Sequence, residues 1–473
     1  MQQAEETLPT PRNAGFWATL REAVRGSEQD FTEGPLRRAI ILLAVPMVLE
    51  MLMESLFVMF DLYWVGHLGA AAVATVGLTE SLLSVVYTMA IGLSMGATAI
   101  VARRVGEKNA EGAAEAATQV IYIGLAISAV LSALGIAFGP RLLALMGASP
   151  EVLQVGSGYV RVMLGGEVSV IMLFLLNSIF RGAGDAAVAM RVLWLANFFN
   201  IILGPCFIFG LGPFPKLGVT GAAVGTTIGR FIGVLFAFSN FWRAGGRITL
   251  RRRHWQLKPA LMARIARLSG SAIVQQFVQI ASWIGLTRIL AGFGDNGVAG
   301  YTIGIRWVIF IMLPSWGLSN AAATLVGQSL GAGKPERAER AVWKAAFYNA
   351  VFLGSAGLVF IFFARPLVSL FTKVPEVAQY SADCLRIISY GFVLFAYGSV
   401  LTASFNGAGD TWTPTYINFF IFWLFEIPLA YVLADTLGYG PRGVFWAITL
   451  AFSLLAVVSG LLFRRGHWKM RQV

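Results

Sequence analysis

Phe180-Arg181-Gly182-Ala183-Gly184-Asp185 returns 225 residues later as Phe405-Asn406-Gly407-Ala408-Gly409-Asp410. The same shift, without gaps, carries Pro150-Glu151-Val152 and Gln154 onto Pro375-Glu376-Val377 and Gln379, and Gly69 onto Gly294. It also pairs Val73-Ala74 with Val298-Ala299, Gly106 with Gly331, Glu111 with Glu336 and Arg161 with Arg386. One register held across four segments that include polar residues marks an internal duplication.

What is duplicated follows from composition. Of 473 residues, 57% are hydrophobic and 13% charged, against about 45–50% and about 25% in soluble domains. With a mean hydropathy of +0.71 and apolar runs of about 20 residues between short polar breaks, the chain reads as a multi-pass membrane protein. About twelve spanning helices are expected, among them Arg38 to Trp64, Tyr159 to Phe180, Arg264 to Ala291, Cys384 to Phe405 and Pro414 to Leu433. The fold class is an all-α integral membrane protein of two six-helix lobes. Six helices per repeat is an even number, so the lobes are related by a pseudo-two-fold axis along the membrane normal.

The expected divisions are a tail over 1–37, an N-lobe over 38–241, a basic linker over 242–263, a C-lobe over 264–463 and a tail over 464–473. The net charge of +12 sits at the flanks of apolar segments and not on one solvated face, which excludes a nucleic-acid partner. Five Lys/Arg in the first tail and at the start of span 1, three after span 2, two after span 4, eight after span 6, four after span 8 and four at the end place 26 of the 36 on one side. Both termini and the Arg243 to Lys258 stretch are therefore expected in the cytoplasm, with the chain in the plasma (inner) membrane. No signal peptide is evident in the polar first residues. Cys206 and Cys384 lie in apolar runs and give no disulfide or metal-ligand spacing.

Chemistry concentrates in span 1. An acid in the bilayer core costs about 2.5–3.5 kcal/mol even on insertion scales, and this span holds Glu50, Glu54 and Asp61. At 100° per residue Glu54 lies about 40° and Asp61 about 20° from Glu50, so the three share one stripe. That stripe is expected to face protein or water, as a protonatable or cation-binding wall or as structural acids paired with an arginine such as Arg230. Pro46, in the same helix, removes a backbone hydrogen bond and makes a kink possible there. Asn197 and Asn200 in span 5, Thr226 in span 6, and Gln275, Gln276 and Gln279 in span 7 are candidates to line a cavity or to bridge helices. The Gly-Ala-Gly-Asp loops lack the lysine and strand of a phosphate cradle, and are expected to end one helix on glycine and cap the next with aspartate. His67, His254 and His467 form no intramembrane cluster, so an enzyme is not expected.

These residues resemble those of the multidrug and toxic compound extrusion (MATE) transporters, in the superfamily that includes the lipid and oligosaccharide flippases. The likeness rests on Leu43-Ala44-Val45-Pro46, on Asp61 with Val65-Gly66-His67-Leu68-Gly69, on Gly182-Ala183-Gly184-Asp185, and on Gly218-Val219-Thr220-Gly221-Ala222-Ala223. It implies alternating-access antiport, H⁺ or Na⁺ entering as amphipathic, often cationic, drugs or metabolites leave, with no enzymatic cofactor and no obligate protein partner. It also implies that Asp61, fifteen residues after Pro46, is the coupling carboxylate, with Asn200 and Thr226 as partners and Glu54 the next acid on the stripe. Two positions depart from the family's pattern. Gly204 stands where a second acid is usual in span 5, and Gln279, with Ser271 in place of a proline eight residues earlier, stands where other members carry a glutamate. With fewer hard oxygens for a Na⁺ at Asp61, protons are favoured. The alternative is a flippase of the same superfamily, which would want a cationic cavity, with Arg230 as its first member.

Overall fold

The computed structural model describes residues 15–242 and 246–471, apart from the side chains of residues 58, 59 and 62. The first 14 residues of the expected tail, Arg243 to Gly245 of the linker and the last two residues fall outside the described part. Within it the chain is helical, with no strand.

A short helix α1 (Phe16–Arg25) precedes the first lobe, made of α2 (Leu36–Gly66), α3 (Ala70–Gly106), α4 (Ala110–Leu145), α5 (Pro150–Gly165), α6 (Glu167–Ala183), α7 (Ala186–Phe209) and α8 (Val219–Phe241). The second lobe holds α9 (Pro259–Ala291), α10 (Asp295–Gly331), α11 (Pro335–Ser369), α12 (Pro375–Tyr390) and α13 (Phe392–Gly407). It ends with α14 (Trp412–Asn418), α15 (Ile427–Tyr431) and α16 (Pro441–Arg464). Shifting Ala70–Gly106 by 225 gives the bounds of α10, and shifting Pro150–Gly165 gives those of α12. The duplication is therefore one of structure.

Among the described residues ten helices are long and apolar enough to cross a membrane, or eleven with the α12–α13 pair, bent by 59°, counted as one. The expected twelfth, α9, lacks the apolarity because serines, glutamines and arginines interrupt it; its 33 residues reach about 50 Å at 1.5 Å each. Span 4 is two helices, α5 and α6, meeting at Gly166. Span 11 is interrupted by wider i→i+5 turns over Phe419–Glu426 and Val432–Thr436. Pro46 lies within α2, which continues through it to Gly66.

The Gly-Ala-Gly-Asp loops are half as expected. Gly184 (φ +85°) and Gly409 (φ +83°) take the left-handed conformation that ends a helix. Asp185 stands at the N-cap of α7, near Val188 N, whereas Asp410 does not cap the next helix, which starts after Thr411: it accepts from the Thr413 hydroxyl at 2.7 Å and pairs with Arg471 at 3.3 Å. At Asp410 side-chain partners have replaced the backbone amide.

The lobes meet through α3 against α9 and α10, and α2 against α10. Their closest approaches are symmetric. A Cβ on Gly106 would stand 2.1 Å from the Gln328 carbonyl oxygen, and one on Gly331 2.2 Å from that of Arg103. Residue 103 shifted by 225 is 328, so the pseudo-two-fold axis passes between these glycines. Gly92 against Ile273 and Gly317 against Met47 and Val48 repeat the pattern one layer in. All four glycines lie in the half of α3 and α10 nearer the basic stretches.

On that same face Ser27 to Gly34 form a strap across both lobes. Arg247, which donates to Ala183 O at 3.3 Å, also donates to Ser27 O and Gln29 O at 2.7 Å each. Arg337 of the second lobe donates to Phe31 O (2.9 Å), Glu33 O (2.8 Å) and Gly34 O (2.8 Å), and Lys334 to Thr32 O (3.2 Å). Phe31 is buried beneath the Arg247 guanidinium, 4.7 Å from its ring centre. Three cations thus satisfy the carbonyls of a segment with no regular secondary structure of its own.

Candidate functional site

The acids of α2 point into the first lobe, as their shared stripe requires, and each meets a different helix. Glu50, 1% exposed, accepts from Arg181 Nη1 at 2.8 Å and Asn177 Nδ2 at 3.2 Å, both on α6. The ion partner is thus Arg181 of the repeated loop motif, not Arg230. Height along the bundle decides it, since Arg230 lies deeper, near Glu54 and Asp61. Glu54 accepts from Asn197 Nδ2 on α7 at 3.2 Å. Asp61 makes no side-chain hydrogen bond among the described residues and interacts electrostatically with Arg230 on α8 and Glu80 on α3.

Arg230 is buried, donates to Tyr87 Oη at 2.8 Å and lies 5.9 Å from that ring's centre. Glu54 and Glu167 also act on it, yet among the described residues no carboxylate lies within ion-pair distance of it. Asn200 and Thr226 are buried where α7 packs on α8. A Cβ on Gly229 would stand 2.9 Å from Asn200 N, and Thr226 is one turn before Arg230. Neither is hydrogen-bonded to Asp61, so the three share an interior without a direct bond.

Gly204 has a steric reason on one side: a Cβ on Gly225 would come within 2.8 Å of its nitrogen, so α7 and α8 run backbone to backbone there. Its own Cβ direction is open, with only Asn200 Oδ1 near, at 3.9 Å. Pro46 is buried. Just beyond it, Trp194 Nε1 on α7 donates to Leu49 O at 3.1 Å, bracing α2 on the side facing α7.

The second lobe repeats the framework without the charges. The 225 shift carries Glu50 to Gln275, Arg181 to Asn406, Asp61 to Leu286, Asn200 to Phe425, Thr226 to Ala451 and Arg230 to Leu455. Gln275 and Asn406 are buried, each with its carbonyl oxygen unpartnered. Gln276 Nε2 and Asn406 Nδ2 both approach Met95 Sδ of α3, at 3.7 and 3.8 Å, so Gln276 faces the other lobe. Gln279 is half-buried, and Ser271 lies buried against Thr411 and Thr415. Glu426, 3% exposed among the wide turns of span 11, is a buried acid that belongs to the second lobe alone.

Arg181, Tyr87, Glu80, Glu167 and Glu426 were not singled out from sequence. For the three glutamates the signal was available, since the cost that flags span 1 applies equally to acids within spans 2, 4 and 11.

Comparison with known proteins agrees with this plan. The MatE family model matches residues 46–206 and again 271–432, two windows that start 225 residues apart. A probable multidrug resistance protein NorM from Thermotoga maritima is 27% identical over 93% of this chain and 94% of its own. An FAD transporter from Shewanella oneidensis is 25% identical over 91% and 95%. A solved structure described as the outward-facing conformation of a multidrug resistance MATE family transporter of the MOP superfamily superposes with a TM-score of 0.86, at 26% identity, over 93% of this chain and 98% of that one. The members of this family are membrane transporters, not enzymes. With two matched repeats and two pseudo-symmetric helical lobes, the chain belongs to the MatE family.

Proposed function

We propose that the protein is a cation-coupled antiporter that exports amphipathic, often cationic, compounds by alternating access, with Asp61 as the coupling carboxylate. The observation that carries this reading is Asp61 itself: an acid within a spanning helix, with no hydrogen-bond partner among the described residues, beside a buried guanidinium. Such a carboxylate binds a proton or cation readily and reports its loss as charge in a low-dielectric interior. The segment of α2 around Pro46, short of one backbone hydrogen bond, gives that charge something to move. Coupling follows when substrate and cation favour opposite conformations.

Protons are the coupling ion in this reading. Gly204 supplies no second carboxylate and Asn200 and Thr226 are not gathered around Asp61, which leaves a Na⁺ short of hard oxygens. Glu54 is the next acid on the stripe. Residues 38–241 and 264–463 move as lobes, and both termini, the linker and the strap lie in the cytoplasm. The lobes touch most closely at the basic end, so the cleft faces outward in this conformation, with Asn197, Gln275, Gln276 and Gln279 as candidate lining. Arg230 speaks against the flippase alternative, because Tyr87 and three nearby acids occupy its field and leave no free cationic cavity.

The test is ethidium accumulation by everted membrane vesicles under an imposed pH gradient or an imposed Na⁺ gradient, one at a time. Accumulation with the pH gradient alone is expected. Accumulation with Na⁺ alone would replace the coupling ion, and none with either would overturn the exporter reading.

A further inference from the structure

Glu167 opens α6 directly after the break at Gly166, in the middle of span 4. It is 0% exposed, and neither Oε1 nor Oε2 has a hydrogen-bond partner. An ionised carboxylate cannot persist so placed without an ion partner, so this side chain carries its proton here. The charged or titratable groups inside the lobe on the elements around it are Glu50, Glu54 and Asp61 on α2, Glu80 and Tyr87 on α3, Tyr159 on α5, Arg181 on α6 itself and Arg230 on α8, of which Arg181 is taken up by Glu50. Arg306 on α10 acts on Glu80 instead, and Glu111, Glu115, Arg141 and Arg191 lie at the ends of α4 and α7. Of these, the cation that acts on Glu167 is Arg230.

Arg230 is therefore one positive charge within reach of Glu54, Asp61 and Glu167 and bonded to none of them, its hydrogen bond going to Tyr87. One guanidinium offsets one carboxylate; each further ionised acid would be an uncompensated buried charge. Glu54 already has its amide partner in Asn197.

Building on the proton-coupled reading of Asp61, we propose that Glu167 is a second proton-carrying group, which exchanges its proton through competition with Asp61 for Arg230. When Asp61 is ionised, Arg230 offsets it and Glu167 stays protonated. When Asp61 takes up a proton, the guanidinium is released to Glu167, whose proton leaves to the water reaching Asp61. One proton thus enters at Asp61 as another leaves from Glu167, and the two acids are protonated in alternation.

Infrared difference spectroscopy of the full chain in lipid nanodiscs reads this through the protonated-carboxyl C=O band. The Glu167 band is defined by subtracting Glu167→Gln from wild type, an isosteric change with a thermal melt as its folding check. It is expected at neutral pH in wild type. In the Asp61→Asn background, with Asp61→Asn/Glu167→Gln as the reference, it is expected to vanish, because a neutral residue 61 frees Arg230. Adding Arg230→Gln to Asp61→Asn should bring it back. A Glu167 band that persists unchanged in Asp61→Asn marks a neutral structural acid and overturns the proposal, as does absence of the band in wild type. Neither result touches the Asp61 reading, which stands or falls on transport by Asp61→Asn.

Discussion

Arg181→Asn removes one partner of a buried ion pair and gives residue 181 the identity its repeat mate Asn406 already has. The change leaves Glu50, 1% exposed, with a single amide donor at 3.2 Å. Stranding a buried charge costs about 3–5 kcal/mol. An escape limits the loss, because taking up a proton at pH 7 costs a glutamate of ordinary pKa near 4.3 about 3.7 kcal/mol, at about 1.36 kcal/mol per pH unit. The expected destabilisation is thus about 3–4 kcal/mol at pH 7, shrinking to about 1 kcal/mol at pH 5. Changing Glu50→Gln as well reproduces Gln275 and Asn406, which the equivalent backbone of the second lobe accepts although their carbonyl oxygens are unpartnered. The double variant should fall within about 1–2 kcal/mol of wild type, giving a coupling energy of at least about 2 kcal/mol in a double-mutant cycle, larger by whatever Glu50→Gln alone costs. Thermal unfolding of the detergent-solubilised variants at pH 5 and pH 7 measures both. Additive losses, or a single variant as stable as wild type at pH 7, would refute the pairing.

Gly106→Ala puts a methyl 2.1 Å from Gln328 O, where C···O contacts sit at about 3.3 Å. An overpacking cost of about 1–3 kcal/mol should spread the lobes at the basic end, seen as a longer distance between spin labels at positions 108 and 334, whereas Gly77→Ala, with nothing within 4 Å, should leave it unchanged. Gly204→Asp enters open space beside Asn200 and supplies the missing hard oxygens, so NaCl but not KCl should raise the variant's melting temperature while wild type responds equally to both. Burial works against ionisation of Asp30 in the strap, but donation from Thr32 N (2.8 Å) and Oγ1 (2.6 Å), with Lys108 and Lys334 nearby, holds its carboxyl below the ordinary aspartate range. That support is present above the ordinary range and is lost as pH falls through the lowered value, so Asp30→Asn should speed amide hydrogen exchange over residues 27–34 at pH 7, and an unchanged rate would show the strap held by its arginines alone.

The architecture was legible because duplication leaves two copies to align, and the helix bounds kept the register of the residues. The acids' orientation was legible too, since a stripe at 100° per residue has one inward face. Their partners were not. Nothing in span 1 tells at what height α6 crosses it, so Arg230 was offered as a partner and Arg181, which holds Glu50, was passed over. The clue lay in the repeat: Glu50 and Arg181 become Gln275 and Asn406, losing their charges together, as a contacting pair does. The break in span 4 was hidden because glycine in an apolar run ends a helix no more often than it lets two helices touch, and the wide turns of span 11 fall in a run with no glycine to mark them. Glu167, at the first of these breaks, was lost with it.

Asp61→Asn tests the central claim most directly. Accumulation of ethidium by everted vesicles is measured under an imposed pH gradient, with ethidium binding to the purified variant by fluorescence anisotropy as the control for folding. Binding retained with gradient-driven transport reduced by about tenfold or more is the expected result. Transport by Asp61→Asn at the wild-type rate would contradict the account and move the coupling role to another acid of α2.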